Sequence, residues 1–166
     1  MIREFSATRV LGVVLLLSLI SVAAVPAWFR SRIVAGENGT VGDLIIIARA
    51  QEAYRRTYPH IGYARDLSHL SVTREGRNCV PSPSRACFIS YHLAHNRPIG
   101  WNGYYFEMVA SPDNFTVVAT PKSFGDTGER SFCITEENIP RSDRSVRPRT
   151  PESVSRAECL KFLPLR

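Results

Sequence analysis

The feature that most constrains this chain is an uninterrupted apolar run near its start. Residues 10–29, VLGVVLLLSLISVAAVPAWF, contain twenty consecutive residues without a charge. As an α-helix that rises about 1.5 Å per residue, such a run spans the roughly 30 Å hydrocarbon core of a bilayer. The sequence therefore predicts a transmembrane helix over 10–29, preceded by a short leader or cytoplasmic tail over 1–9.

Small residues inside the run allow a second interpretation. Ser21-Val22-Ala23 and Val22-Ala23-Ala24 place small side chains where signal peptidase requires them. Twenty apolar residues are nevertheless more than the 7–15 of a signal-peptide core, and helix-compatible sequence continues directly afterwards. The sequence favours a membrane-anchored stem, and cleavage near Ala23 or Ala27 to release a secreted head is the alternative.

A second helical segment is predicted over residues 30–58 as a continuation of the stem. Its apolar residues recur every three or four positions, as in a helix with one buried face. They are Ile33, Val41, Leu44, Ala48 and Tyr58, with Ile45, Ile47 and Tyr54 widening the stripe. The charged residues of the opposite side are Arg49, Glu52, Arg55 and Arg56. We expect Leu44 and Ile47 to pack the stem against the head, and Pro59 to end the helix.

The remaining residues, 59–166, predict a small globular head with a basic C-terminal tail. Residues 104–110 and 115–120 have strand-forming patterns and flank a reverse turn at 111–114, and 131–135 is a third strand. Beyond Ile139 little apolar pattern remains. The predicted fold class is α+β, with a long N-terminal helix (transmembrane, then amphipathic) packed on a small antiparallel β-sheet of three to four strands.

The four cysteines all lie beyond the apolar run, at Cys79, Cys87, Cys133 and Cys159. An even number outside the cytoplasm favours disulfides, and three pairings are possible. Cys79 with Cys87 would close a Pro/Ser loop. Cys133 with Cys159 would pin the basic tail to the sheet and stabilise the fold by roughly 3 kcal/mol. The cysteines and the short N-terminal tail indicate that the head faces the oxidising side.

Catalytic and metal-binding signatures are not found in the sequence. It has no G-x-S-x-G, P-loop or H-E-x-x-H motif, so neither enzyme activity nor a cofactor is predicted. The spacing of Cys79, Cys87, His92 and His95 matches none of the usual zinc sites. The acidic residues Asp113, Asp126, Glu136 and Glu137 form no calcium-ligand ladder. The sequence therefore predicts no metal site.

The charge balance is basic, with a formal net charge of +6. Positive residues concentrate only in the tail, at Arg141, Arg144, Arg147 and Arg149. No aromatic residues are interleaved with them to stack on bases, so nucleic acid is not expected as a partner.

The order of elements resembles the type IV pilin and type II secretion pseudopilin family. The stretch WFRSRIVAGENGTVGDLIIIARAQEAY, which begins two residues after Pro26, resembles the segment after the membrane proline of that family. YYFEMVASPDNFTVVATPKSFGDTGERSFCIT is similar to the hairpin and third strand of its head. The resemblance runs from about Phe5 to Ile139.

The resemblance also identifies candidate processing and assembly residues. Counting back from Pro26 places the N-methylated phenylalanine of the family at Phe5, while Glu4 replaces the glycine before the cleavage point. Arg9 replaces the family's glutamate, which neutralises the terminal ammonium of a neighbouring subunit. A carboxylate at the cut should hinder the peptidase, and an arginine beside an ammonium in an apolar site is unfavourable.

The family resemblance implies a pilin-like or pseudopilin-like subunit of a type IV pilus or a type II secretion system. Such a subunit acts by helix packing and assembly in the inner membrane. Its partners would be other subunits, the inner-membrane assembly platform and membrane lipid. The expected location is single-pass in the inner membrane, with a cytoplasmic N-terminus and a head in the periplasm or on a filament surface. The alternative is a secreted, periplasmic, disulfide-containing binding module released by signal peptidase.

Overall fold

The computed structural model describes residues 7–76, 78–144 and 155–165, with the side chains of 7–10 and 19–24 outside the description. One long helix, α1 (Ala7–Thr57), contains 51 residues. The short helices are α2 (Leu67–Leu70), α3 (Tyr91–Ala94) and α4 (Arg156–Cys159). The strands are β1 (Tyr104–Ala110), β2 (Phe115–Pro121), β3 (Ser131–Thr135), β4 (Arg141–Asp143) and β5 (Leu163–Pro164).

Helix α1 joins the predicted stem and its amphipathic continuation into a single element. It continues through Pro26, which lies inside the helix, and it ends two residues before Pro59. The backbone amide of Tyr58 still donates to the carbonyl of Tyr54 at 2.8 Å. The chain then turns, because proline restricts the residue before it to extended conformations.

The sheet is antiparallel throughout and has the order β1-β2-β3-β4-β5. The α+β fold class is therefore confirmed, but the expected three to four strands are corrected to five. The two additional strands contain three and two residues. Elements this short carry no period that a sequence pattern can reveal, which explains why they were not predicted.

Helix α1 covers one face of the sheet and forms the main hydrophobic core with it. Leu44 and Ile47 are fully buried, as predicted, and pack in the same cluster as Phe115, Val117 and Ile134. The second face of the sheet is covered by the end of the chain. Val118 and Cys133 form a smaller cluster there with Cys159 and Phe162. Strand β2 is consequently buried along its whole length.

The predicted location in the membrane is wrong. Among the residues that the structure describes, no helix is long and apolar enough to cross a bilayer. A crossing needs about 20 consecutive apolar residues. The single-pass inner-membrane location with a cytoplasmic N-terminus and a periplasmic or filament-surface head is therefore corrected.

Candidate functional site

The candidate processing residues fall at the edge of what the structure covers. Glu4 and Phe5 lie outside the described residues, and Arg9 lies within α1 but its side chain is not described. Their roles in processing and assembly remain predictions.

The predicted cysteine sites form two disulfides, Cys79–Cys87 and Cys133–Cys159. The sulfurs of Cys79 and Cys87 are therefore bonded to each other, and they are not thiolates that could bind zinc. His92 stacks on Trp101, and His95 stacks on Tyr91 with 4.1 Å between ring centroids. The cysteine and histidine residues thus take separate structural roles in the head.

Three of the four carboxylates considered for calcium have partners within the protein. Glu136 pairs with Arg156, Glu137 with Arg141, and the Asp126 carboxylate accepts a hydrogen bond from Ser123 Oγ at 2.7 Å. Burial raises the pKa of Glu136, but the hydrogen bond from Arg156, two backbone hydrogen bonds and the charge of Arg156 together outweigh it, so the pKa is lowered. In the described part of the chain, no three His, Cys, Asp or Glu side chains cluster to hold a metal ion.

The N-terminal half of α1 presents an extended apolar surface, which we call the exposed segment. It comprises residues 11–18 and 25–32, and all of their side chains are exposed to solvent. Leu11 and Leu16 are 64% and 62% accessible, and Trp28 and Phe29 pack edge to face. Large apolar patches of this kind mark interaction surfaces in folded proteins.

A buried ion pair fixes α1 where it enters the head, at a position that we call the neck. Glu37 is 4% exposed. Its carboxylate accepts hydrogen bonds from Arg130 Nε at 2.8 Å and from the backbone amide of Glu129 at 2.9 Å. A terminal guanidinium nitrogen of Arg130 also lies 2.6 Å from a carboxylate oxygen of Glu37. The Glu37 carboxylate is buried and each of its oxygens has a partner, Oε2 the guanidinium and Oε1 the Glu129 amide, so the contact ties the helix to the β2–β3 loop.

Small helix residues allow two loops to approach α1 at the neck. A Cβ added at Gly36 would lie 3.4 Å from the carbonyl oxygens of Asn102 and Thr127. Two turns further, the Asp43 carboxylate accepts a hydrogen bond from Asn102 Nδ2 at 2.8 Å. Burial raises the pKa of Asp43, and this hydrogen bond offsets the effect only in part. Gly36 would weaken an isolated helix, but here it allows the two loops to pack closely against α1.

A third polar contact holds α1 near its C-terminal end. The buried side chain of Gln51 donates to the carbonyl of Ala64 and accepts from its amide, each at 2.9 Å. Gln51 thus satisfies both polar groups of a buried backbone segment. Glu37 and Gln51 were not among the predicted site residues. Their only sequence signal is a polar residue adjoining the apolar stripe of the amphipathic segment.

These contacts divide α1 into two functional parts. The part from Glu37 onward is held in the head by polar and apolar contacts, and the exposed segment extends away from them. The geometry provides a fixed mount and an apolar contact surface. The chain matches no protein-family model, no curated protein and no solved structure.

Proposed function

We propose that this protein is a pilin-like or pseudopilin-like subunit of a type IV pilus or a type II secretion system. It acts by assembly with other subunits and not by catalysis. The observation that carries the proposal is the exposed segment of α1. Within the described residues its apolar side chains are exposed to solvent, whereas the other half of the same helix forms the core.

The physical argument rests on the cost of leaving this apolar surface in water. Burying apolar area yields about 25 cal/mol per Å², so a row of leucine and valine side chains favours association strongly. A matching row on a second copy of the chain would cover it by ridges-into-grooves packing. The resemblance of the sequence around Pro26 and of β1–β3 to the pilin family supports the same arrangement.

Changing one residue in the exposed segment tests the proposal. We expect Leu16→Asp to abolish self-association of the full-length chain, because a carboxylate would be desolvated between packed helices. The head should remain folded, with unchanged protease resistance. Sedimentation velocity and co-capture of two differently tagged copies measure the association.

Val80→Asp is the matched control, since Val80 is 79% exposed but lies in the loop closed by Cys79–Cys87. It introduces the same charge and should leave association unchanged. If Leu16→Asp associates as well as the wild type, the helix-packing proposal fails.

The two disulfides favour the second candidate function, a secreted binding module without an assembly role. The mass and N-terminal sequence of the protein recovered from its native cells distinguish the two. A start at methylated Phe5 supports the pilin-like subunit and shows that the peptidase accepts Glu4. A start near Ala24 or Trp28 means that the apolar run is discarded, which supports the binding module.

A further inference from the structure

The head has a groove along the half of α1 that packs against it, the part from Glu37 onward. It has a volume of about 540 Å³ and lies between α1 and the distal end of β3. Its apolar lining includes Ile45 and Ala53 of the helix and Ile134 of the strand. The groove lies where α1 passes beside the part of β3 that follows residues 131–133, which pair with β4, and the fully buried Ile134 forms its floor.

The rim of the groove is positively charged. Arg49 and Arg56 line it, and both side chains are exposed. They are two helical turns apart, about 10.5 Å along the axis. Glu52 lies between them and already accepts a hydrogen bond from the Tyr63 hydroxyl at 2.9 Å. Within the described residues, neither arginine forms an ion pair, so the rim can receive two carboxylates.

The loop between β2 and β3 has the complementary composition, and we call it the acidic loop (residues 123–129). Phe124 is 45% exposed at its start, and the acidic residues Asp126 and Glu129 follow. The loop is held in one shape by hydrogen bonds: the amide of Gly125 donates to Gly128 O at 2.9 Å, and that of Thr127 to Ser123 O at 2.9 Å. Because the loop already has a fixed shape that presents Phe124 and two carboxylates, it loses little conformational entropy on binding.

We propose that the acidic loop of one copy docks into the α1 groove of the next copy. Phe124 covers the apolar lining, and Asp126 and Glu129 face Arg49 and Arg56. This inference rests on the proposed function, because it identifies the contact between heads in the same assembly.

The position of the two surfaces along α1 requires a second copy. The acidic loop contacts α1 at Glu37, through the Glu129 amide, whereas the groove is centred near Glu52. Fifteen positions of helix separate these residues, about 22 Å, so a loop cannot reach the groove of its own chain. A contact between two different surfaces is heterologous and repeats without closing when the rotation does not form a ring. If the copies pack in parallel, this contact displaces each one by about 22 Å along the helix axis, and the repeat builds a filament.

The test uses the full-length chain with a photoreactive benzoylphenylalanine in place of Phe124. We expect irradiation to cross-link two copies, with the cross-link in the peptide that contains residues 45–56. Arg49→Glu with Arg56→Glu should lower the yield by about tenfold or more, because like charges then face each other. Asp126→Lys with Glu129→Lys should have the same effect. Added salt should weaken the wild-type contact.

Mixing the two charge-reversed proteins provides the decisive measurement. Each associates poorly through its heads when alone, but the mixture pairs lysines with glutamates and should regain the cross-link to near the wild-type yield. The matched control reverses Arg74 and Arg85 to Glu, since both are exposed arginines in the region before β1. The control should cross-link like the wild type. Limited proteolysis confirms that each variant is folded.

The outcomes separate the two proposals. If copies associate but the cross-link maps elsewhere, or if charge reversal has no effect or is not rescued by mixing, the docking inference is overturned and the proposed assembly function stands. If the wild-type chain does not self-associate at all, both are overturned.

Discussion

At the scale of single residues, the contact between Glu37 and Arg130 sets the position of the long helix. The carboxylate lies in a site that is closed to water, and it binds a guanidinium and a backbone amide together. Such a carboxylate has one geometry in which all donors are satisfied. It therefore fixes both the rotation and the height of α1 relative to the sheet.

Glu37→Ala should lower the free energy of unfolding by about 2–3 kcal/mol, because Arg130 and the Glu129 amide lose their acceptor. The higher helix propensity of alanine recovers only a few tenths of a kcal/mol. Urea denaturation with the disulfides intact measures the change. Glu75→Ala is the control, since Glu75 is exposed, and it should stay within about 0.5 kcal/mol of the wild type. Equal stability of Glu37→Ala and Glu75→Ala would contradict the role of the pair.

These polar contacts were beyond what the sequence could reveal. Leu44 and Ile47 were predicted as core residues because helical periodicity is a local signal. Glu37 and its partner Arg130 are 93 positions apart, and Gln51 bonds a backbone segment 13 positions away. No local pattern encodes a contact at that separation, so a buried polar residue cannot be told from an exposed one.

At the scale of elements, the end of the chain acts as a cover on the second face of the sheet. Helix α4 begins with a capping box between Ser155 and Glu158, and its Cys159 is bonded to Cys133 in β3. Strand β5 then adds to the edge at β4. The disulfide joins α4 covalently to the sheet, beside a small apolar cluster and the Arg156–Glu136 ion pair, so it should be the main attachment of this cover.

The two disulfides should therefore contribute unequally to stability. Replacing Cys133 and Cys159 by alanine opens a loop with a sequence separation of 26, which costs about 3.5 kcal/mol in the chain-entropy model. Replacing Cys79 and Cys87 opens a separation of 8 and costs about 2.5 kcal/mol. Thermal unfolding of the two double variants against the wild type measures both. The prediction fails if the variant lacking Cys79–Cys87 is the less stable one.

Elements of ordinary length could be predicted from the sequence, whereas the cover could not. The bounds of β1 and β3 agree with the prediction because tyrosine, phenylalanine, valine and isoleucine dominate those strands. Strand β4 is Arg-Ser-Asp, a composition that reads as a turn, and it pairs only because the chain end returns beside it. Tertiary contacts produce such strands, so their composition carries no signal.

At the scale of the whole molecule, the two halves of α1 have different roles. Its C-terminal half is part of the head's core, whereas the described side chains of residues 11–18 and 25–32 are exposed and outside that core. The stability of the head and the association of copies should therefore respond to different halves of one helix.

Leu44→Ala tests this separation. Leu44 is fully buried, so its truncation leaves a cavity between α1 and the sheet and should destabilise the whole head by about 2–5 kcal/mol. Ile46 is two positions away and 49% exposed, and Ile46→Ala should change stability by less than about 0.5 kcal/mol. Leu16→Ala, in the exposed segment, should likewise leave stability unchanged.

Circular dichroism measures the loss of helix α1 on unfolding, and tyrosine absorbance measures the exposure of the tyrosines in the core of the head. One shared transition, moved only by Leu44→Ala, is expected. Separate transitions for helix and head in the wild type would show that α1 is not anchored as the neck contacts require.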